Sequence, residues 1–140
     1  PLVSPRIYEE FWYPHQDPVI NLLREHDVPV ISLWSAGQFE SLLPGMIEHG
    51  FNCTWPLEAM AGKDALAVRE RFGRELLLGG NIPKEAVIEG PEAIDREIDR
   101  LMPLIQQGGF LPALDDMASP DMPFDHYRHM IQRLQEIKLT

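Results

Sequence analysis

The chain has 140 residues, 44% hydrophobic and 24% charged, enough apolar content for one packed core and too little bias for general disorder. Its 12 lysines and arginines face 22 aspartates and glutamates, a formal net charge of −10 that argues against nucleic-acid partners and anionic lipid surfaces. A single cysteine, Cys53, excludes an internal disulfide or a cysteine-rich zinc module, and no apolar run approaches the roughly 20 residues of a membrane span. A soluble protein of a reducing cytoplasm is the expectation. The sequence begins at Pro1 and enters a helix-like segment at once, so it reads as cut from a longer chain. No linker divides it, and residues 1–140 are expected to form one unit.

Ser4-Pro5 opens the first helix, with serine placed to cap and proline at the first helical position. Ile7, Phe11, Val19, Leu22 and Leu23 fall roughly on one face, and Pro14 and Pro18 bend or restart the helix. Val28–Leu33 is short and β-rich, a buried strand. Ser35-Ala36-Gly37 turns the chain into a helix that ends near His49-Gly50. Phe51–Pro56 reads as a second strand. Asp64–Phe72 is amphipathic, and Gly73 stops it. Glu75–Leu78 is a third strand, closed by Gly79-Gly80-Asn81.

Gly90-Pro91 begins the clearest helix, with Ile94, Ile98, Leu101 and Ile105 at helical spacing opposite Asp95, Arg96, Asp99 and Arg100. Glu92, Asp95, Glu97 and Asp99 read as its solvated face. Gly108-Gly109 ends it, Phe110–Leu114 is a fourth strand, and Asp121-Met122-Pro123 starts a last helix carrying Tyr127, Ile131, Leu134 and Ile137. Four strands alternating with helices predict an α/β fold with a parallel sheet. A full (β/α)8 barrel takes about 250 residues, so four units are about half of one. A doubly wound sheet is the rival, which periodicity does not separate.

Three stretches carry a family resemblance. Gly62-Lys63-Asp64, Arg69-Glu70-Arg71-Phe72-Gly73 and Leu78-Gly79-Gly80-Asn81-Ile82-Pro83-Lys84 resemble the late part of the uroporphyrinogen decarboxylase superfamily, which includes corrinoid-dependent methyltransferases. Gly108 to Pro112, Asp115-Asp116 and Pro120 to Tyr127 are similar to its closing strand, loop and final helix. Ser4-Pro5 to Pro14, Val28-Pro29-Val30-Ile31 and Gly37 resemble the approach to its fifth strand. The resemblance implies a partial domain, the C-terminal half of a (β/α)8 TIM barrel with the fifth to eighth strands. The half with the decarboxylase's main pyrrole-binding aspartate and its arginines would lie outside it.

In such barrels the chemistry sits at the C-terminal ends of the strands. The positions expected to line that mouth are Trp34 and Ser35, Trp55 to Glu58, Gly79 to Asn81, and Asp115 to Met117. Trp34 is either barrel packing or a stacking surface for a flat macrocycle. The superfamily's zinc methyltransferases place His-x-Cys where Trp34 and Ala36 stand, so no metal site is expected. Asp116 stands where the family has a histidine that contacts a substrate carboxylate. A carboxylate does that only when protonated. Asp115 and Asp116 are thus candidates for catalysis or for fixing the ligand or the loop. Glu58 is a candidate for proton transfer or for accepting a pyrrole N–H, or a capping acid. Gly79-Gly80-Asn81 permits close backbone approach to a ligand, although two glycines after a strand more often form a turn, and Gly37 is a further ligand-binding candidate. His126 and His129 read as surface histidines, Cys53 as a small core residue, and Met102 and Met130 as core.

Three functions remain open. They are a decarboxylase-like lyase of porphyrin biosynthesis acting on an acidic tetrapyrrole, a methyltransferase that meets a corrinoid protein, and a non-catalytic half-barrel for binding or assembly. No cofactor is expected, apart from a corrinoid in the methyltransferase case. The half-barrel alone is expected to be inactive, and its exposed strand edges predict a homo-oligomer.

Overall fold

The computed structural model describes residues 3–139; Pro1, Leu2 and Thr140 lie outside the described residues. Four strands alternate with helices, β1 Ser32–Trp34, β2 Cys53–Leu57, β3 Leu77–Ile82 and β4 Phe110–Leu114. All three pairings are parallel, in the order β1-β2-β3-β4. A doubly wound sheet would reverse its order at a switch point. The order here rises without a break, as in a barrel, and right-handed crossovers then put every helix on one face. The four strands form half of such a barrel.

Register decides which side chains face which way. Leu33, Thr54, Leu78 and Phe110 are partners along one row, and all are buried or packed against the core. Trp34 partners Trp55, and Gly79 partners Leu111, in the next row. Trp34 and Leu111 are 60% and 62% exposed, so this row lies on the open, concave face. Between Thr54 and Leu57 the β2–β3 register shifts, three steps on β2 matching two on β3 (Leu78 to Gly80). The extra residue makes a bulge around Trp55-Pro56, where proline's missing N–H costs no ladder bond.

The helices are α1 Pro5–Ile7, α2 Tyr13–Glu25, α3 Leu43–Glu48, α4 Ala65–Phe72, α5 Lys84–Glu89, α6 Pro91–Gln107 and α7 Phe124–Gln135. A π-helical stretch, Tyr8–Trp12, joins α1 to α2, and Pro14 enters the first turn of α2. Ser4 accepts from the Ile7 and Tyr8 amides through its carbonyl, not its hydroxyl. Asp64 caps α4 through the Leu66 amide at 3.1 Å, and Gly73 ends it at φ 72. Helix α6 packs against β3 and β4 with Ile94, Ile98, Leu101 and Ile105 buried.

Several sequence expectations need correction. The strand expected over Val28–Leu33 is shorter and later. Pro29 has no N–H to give a ladder, and Asn52 takes over this segment, accepting from the Ile31 amide at 2.7 Å and donating to the Pro29 carbonyl at 2.8 Å. Gly79-Gly80-Asn81 is no turn but the middle of β3. Helix α5 was not foreseen. The last helix begins at Phe124, after Pro123. The acidic face of α6 is paired as well as solvated: Asp95 meets His129 at 3.0 Å, and Arg133 reaches Asp99 at 3.3 Å. His126 likewise bonds the Val87 carbonyl, at 2.9 Å. The two histidines thus hold α7 onto α5 and α6. No helix among the described residues is long and apolar enough to cross a membrane.

Candidate functional site

The C-terminal ends of β2, β3 and β4 are tied by one carboxylate. Asp115, directly after β4 and 2% exposed, accepts from the Ala59 amide at 2.9 Å and from the Lys84 amide at 3.0 Å. Burial pushes its pKa up, and the two amide donors work against that rise. With both oxygens engaged by backbone, Asp115 fixes the loops. Asp116, the next residue, is held by a side chain instead. Its Oδ2 lies 2.5 Å from Lys84 Nζ, in a pair whose side chains are 33% and 30% exposed. The Lys84 hydrogen bond holds the Asp116 carboxyl below its usual range, and Asp116 raises the lysine in turn.

The loops after β1 and β2 are joined in a similar way. The Gly37 amide donates to Glu58 Oε2, the Gln38 side chain donates to the Ala61 carbonyl, and the Ser35 amide donates to the Trp55 carbonyl at 3.0 Å. Beneath this clasp lies Lys63, 2% exposed, with Nζ 3.4 Å from the centre of the Phe39 ring and without a hydrogen-bond partner. Desolvation lowers its pKa to about 8, against the pull of Glu58 and Glu40.

Two clefts open beside these groups, each of about 240 Å³. One is mostly apolar, with Trp34, Trp55, Pro112 and Met117 in its wall, and Tyr127 of α7 closing one side. The other is lined mainly by charged residues, among them Glu58, Lys84, Glu85 and Asp115, with Met60 beside them. Asp116 lines both. Ser35 and Gly37 line a third cavity with Phe39 and Leu42.

The glycine run behaves differently from its neighbours. Gly79 lies under the Trp55 indole, which lets the ring lie close to β3. Gly80, at φ 93, is buried beside the Leu57 amide. Asn81 is fully buried, at φ 68. It accepts from the Ala65 amide at 3.1 Å and donates to the carbonyls of Leu57 at 3.1 Å and Lys63 at 2.9 Å. It clasps β3 to the segment between β2 and α4.

The structure therefore brings Trp34, Trp55, Asp116, Asp115 and Glu58 to one end of the sheet, and sets Gly80 and Asn81 beneath them. Sequence reading missed Lys84 and Lys63. A lysine two residues past a strand, in a chain this acidic, was the available signal for Lys84. Nothing in the pattern of Gly62-Lys63-Asp64 marks a buried amine. Among the described residues, no three of His, Cys, Asp and Glu are placed to hold a metal ion. A family model described as uroporphyrinogen decarboxylase (URO-D) matches residues 1–137.

Proposed function

Because the chain belongs to the uroporphyrinogen decarboxylase family, we propose that its strand mouth binds a flat, carboxylate-bearing tetrapyrrole and serves carboxy-lyase chemistry in a closed barrel. One observation carries the reading: two indoles from adjacent strands, Trp34 and Trp55, wall the same cleft. Indoles offer a flat apolar surface on which a conjugated or pyrrolic ring stacks. The polar cleft beside them offers groups for the ring's substituents.

The roles follow from position. Trp34 and Trp55 take the ring face. Glu58, anchored by the Gly37 amide, accepts from a pyrrole N–H or moves a proton. Asp115 acts by holding the Ala59 and Lys84 backbones in place. Trp34 is 60% exposed on the open face of the sheet, so solvent reaches the cleft of this chain taken alone. Carboxy-lyase chemistry needs water excluded and charge held in fixed dipoles. The chain by itself is expected to bind the ligand without turning it over.

The test is a titration with uroporphyrin, the stable oxidised octacarboxylate, followed by tryptophan fluorescence and calorimetry. The expected result is saturable binding that weakens about tenfold in Trp55→Ala, the loss of roughly 1.4 kcal/mol of stacking. Absence of binding, or binding indifferent to both Trp34→Ala and Trp55→Ala, would overturn the proposal.

A further inference from the structure

A further cavity opens at the opposite end of the strands, and we infer that it binds a free amino acid with an apolar side chain. Ile31, Asn52 and Leu76, the residues directly before β1, β2 and β3, border it, and its volume is about 300 Å³. That is the size at which small-molecule pockets begin. Asn52 fixes one side of it, its side chain accepting from the Ile31 amide at 2.7 Å and donating to the Pro29 carbonyl at 2.8 Å, while its own carbonyl accepts from the Leu77 amide at 2.8 Å.

Two opposite charges face this cavity unpaired. Arg24, in the last turn of α2, and Glu75, between α4 and β3, both line it, and both are exposed. Among the described residues, neither has a hydrogen bond or an ion pair, with each other or with a third group. Arg24 is nevertheless placed by packing. Its guanidinium lies across Gly50, where an added Cβ would stand 2.1 Å from Nη2. Gly50, at φ 97, lies just past α3, and Asp27, at φ 54, lies just past α2. Chain amides cap both helix ends, Val28 donating to the Leu23 carbonyl and Phe51 to the Met46 carbonyl, each at 3.0 Å. The guanidinium therefore keeps its fork of N–H donors for a ligand.

The charge pattern selects the ligand class. The Arg24 fork suits a carboxylate, which it can hold by two parallel bonds. A simple anion would also meet Glu75, and a simple cation would also meet Arg24. A zwitterion satisfies both, with its ammonium donating to Glu75. Ile47, Phe51 and Phe72 add apolar wall, which suits an aliphatic or aromatic side chain over a charged one. This cavity and the strand mouth lie at opposite ends of the sheet, so this inference stands or falls apart from the tetrapyrrole reading.

The experiment is an NMR amide-shift titration of the chain with L-leucine. Saturable shifts are expected in residues 50–52 and 72–76. Leucinamide, lacking the carboxylate, and N-acetyl-leucine, lacking the ammonium, each bind about fivefold more weakly, the scale of one partly exposed charge pair. Arg24→Met and Glu75→Gln, both at exposed positions, each weaken leucine by a similar factor. N-acetyl-leucine responds to Arg24→Met and not to Glu75→Gln, and leucinamide does the reverse. No saturable shifts in those residues, or leucine binding that either variant leaves unchanged, would overturn the inference.

Discussion

The indole of Trp55 lies across the backbone of Gly79, so that a Cβ added at Gly79 would stand 2.0 Å from the ring's Cε3. The two residues sit on neighbouring strands, and their contact sets one wall of the cleft. Gly79→Ala therefore forces the indole off β3. Overpacking of this kind costs about 1–3 kcal/mol. Urea unfolding should show that loss together with a red shift of tryptophan emission. Unchanged stability and emission would mean that the indole is not held there.

The same contact shows why part of the sheet was hard to read in the sequence. Two glycines after an apolar run signal a turn, but here the absence of side chains makes room for Trp55 and for the Leu57 amide within β3. That reason lies on another strand, so no local pattern could supply it. Where both ends carry their own signals, the reading succeeds: Gly108-Gly109 and Asp115 bracket β4 at Phe110–Leu114, and helical spacing gives the buried face of α6. For the candidate site, the sequence pointed to Trp34, Trp55 and Asp115-Asp116, which lie together at one end of the sheet. The division of labour between the two aspartates was not, because it depends on the Ala59 and Lys84 amides and the Lys84 ammonium, all brought from other loops.

Asp115 should behave as a clamp. Asp115→Ala leaves two amide donors in the interior and is expected to cost about 2–4 kcal/mol, while Asp115→Asn, keeping one acceptor, costs roughly half of that. Its pKa is raised, so between the ordinary carboxylate value and the raised one the folded chain holds a proton that the unfolded chain has released. The contribution of Asp115 to stability therefore falls as pH rises through that window and levels off above it. Urea unfolding across the mildly acidic range should show this slope in the parent and lose it in Asp115→Asn.

His49 gives a slope in a different window. It stacks on Tyr13 at 3.9 Å, with Nδ1 2.7 Å from Asp17 and Nε2 3.1 Å from Glu9. Only the imidazolium donates from both nitrogens. Burial opposes the charge, but the hydrogen bonds to Asp17 and Glu9 carry the pKa above the ordinary 6.5. This stabilisation is fully present below that ordinary value and is lost as pH rises through the raised one. The loss should be below about 1 kcal/mol, given carboxylates that are partly exposed. An NMR titration should place the His49 midpoint above 6.5, and His49→Gln should remove that step from the stability profile. A midpoint below the ordinary value would contradict it.

The outer sides of β1 and β4 are the edges of the sheet, and Trp34 and Leu111 stand exposed on its concave face. Unpaired edges and an apolar face favour association with another chain. Light scattering of the purified chain at high concentration should report a dimer or a larger assembly, and dilution should shift it towards monomer. A single monomeric species at every concentration would count against it.

Convergence of four parallel strand ends into one ligand-binding mouth is most directly tested by hydrogen–deuterium exchange with and without uroporphyrin. Added ligand should slow exchange in residues 34–38, 55–61, 84–85 and 115–117 together. Protection confined to the opposite end of the strands, around residues 50–53, 75–77 and 108–110, would contradict the account, as would no protection at saturating ligand.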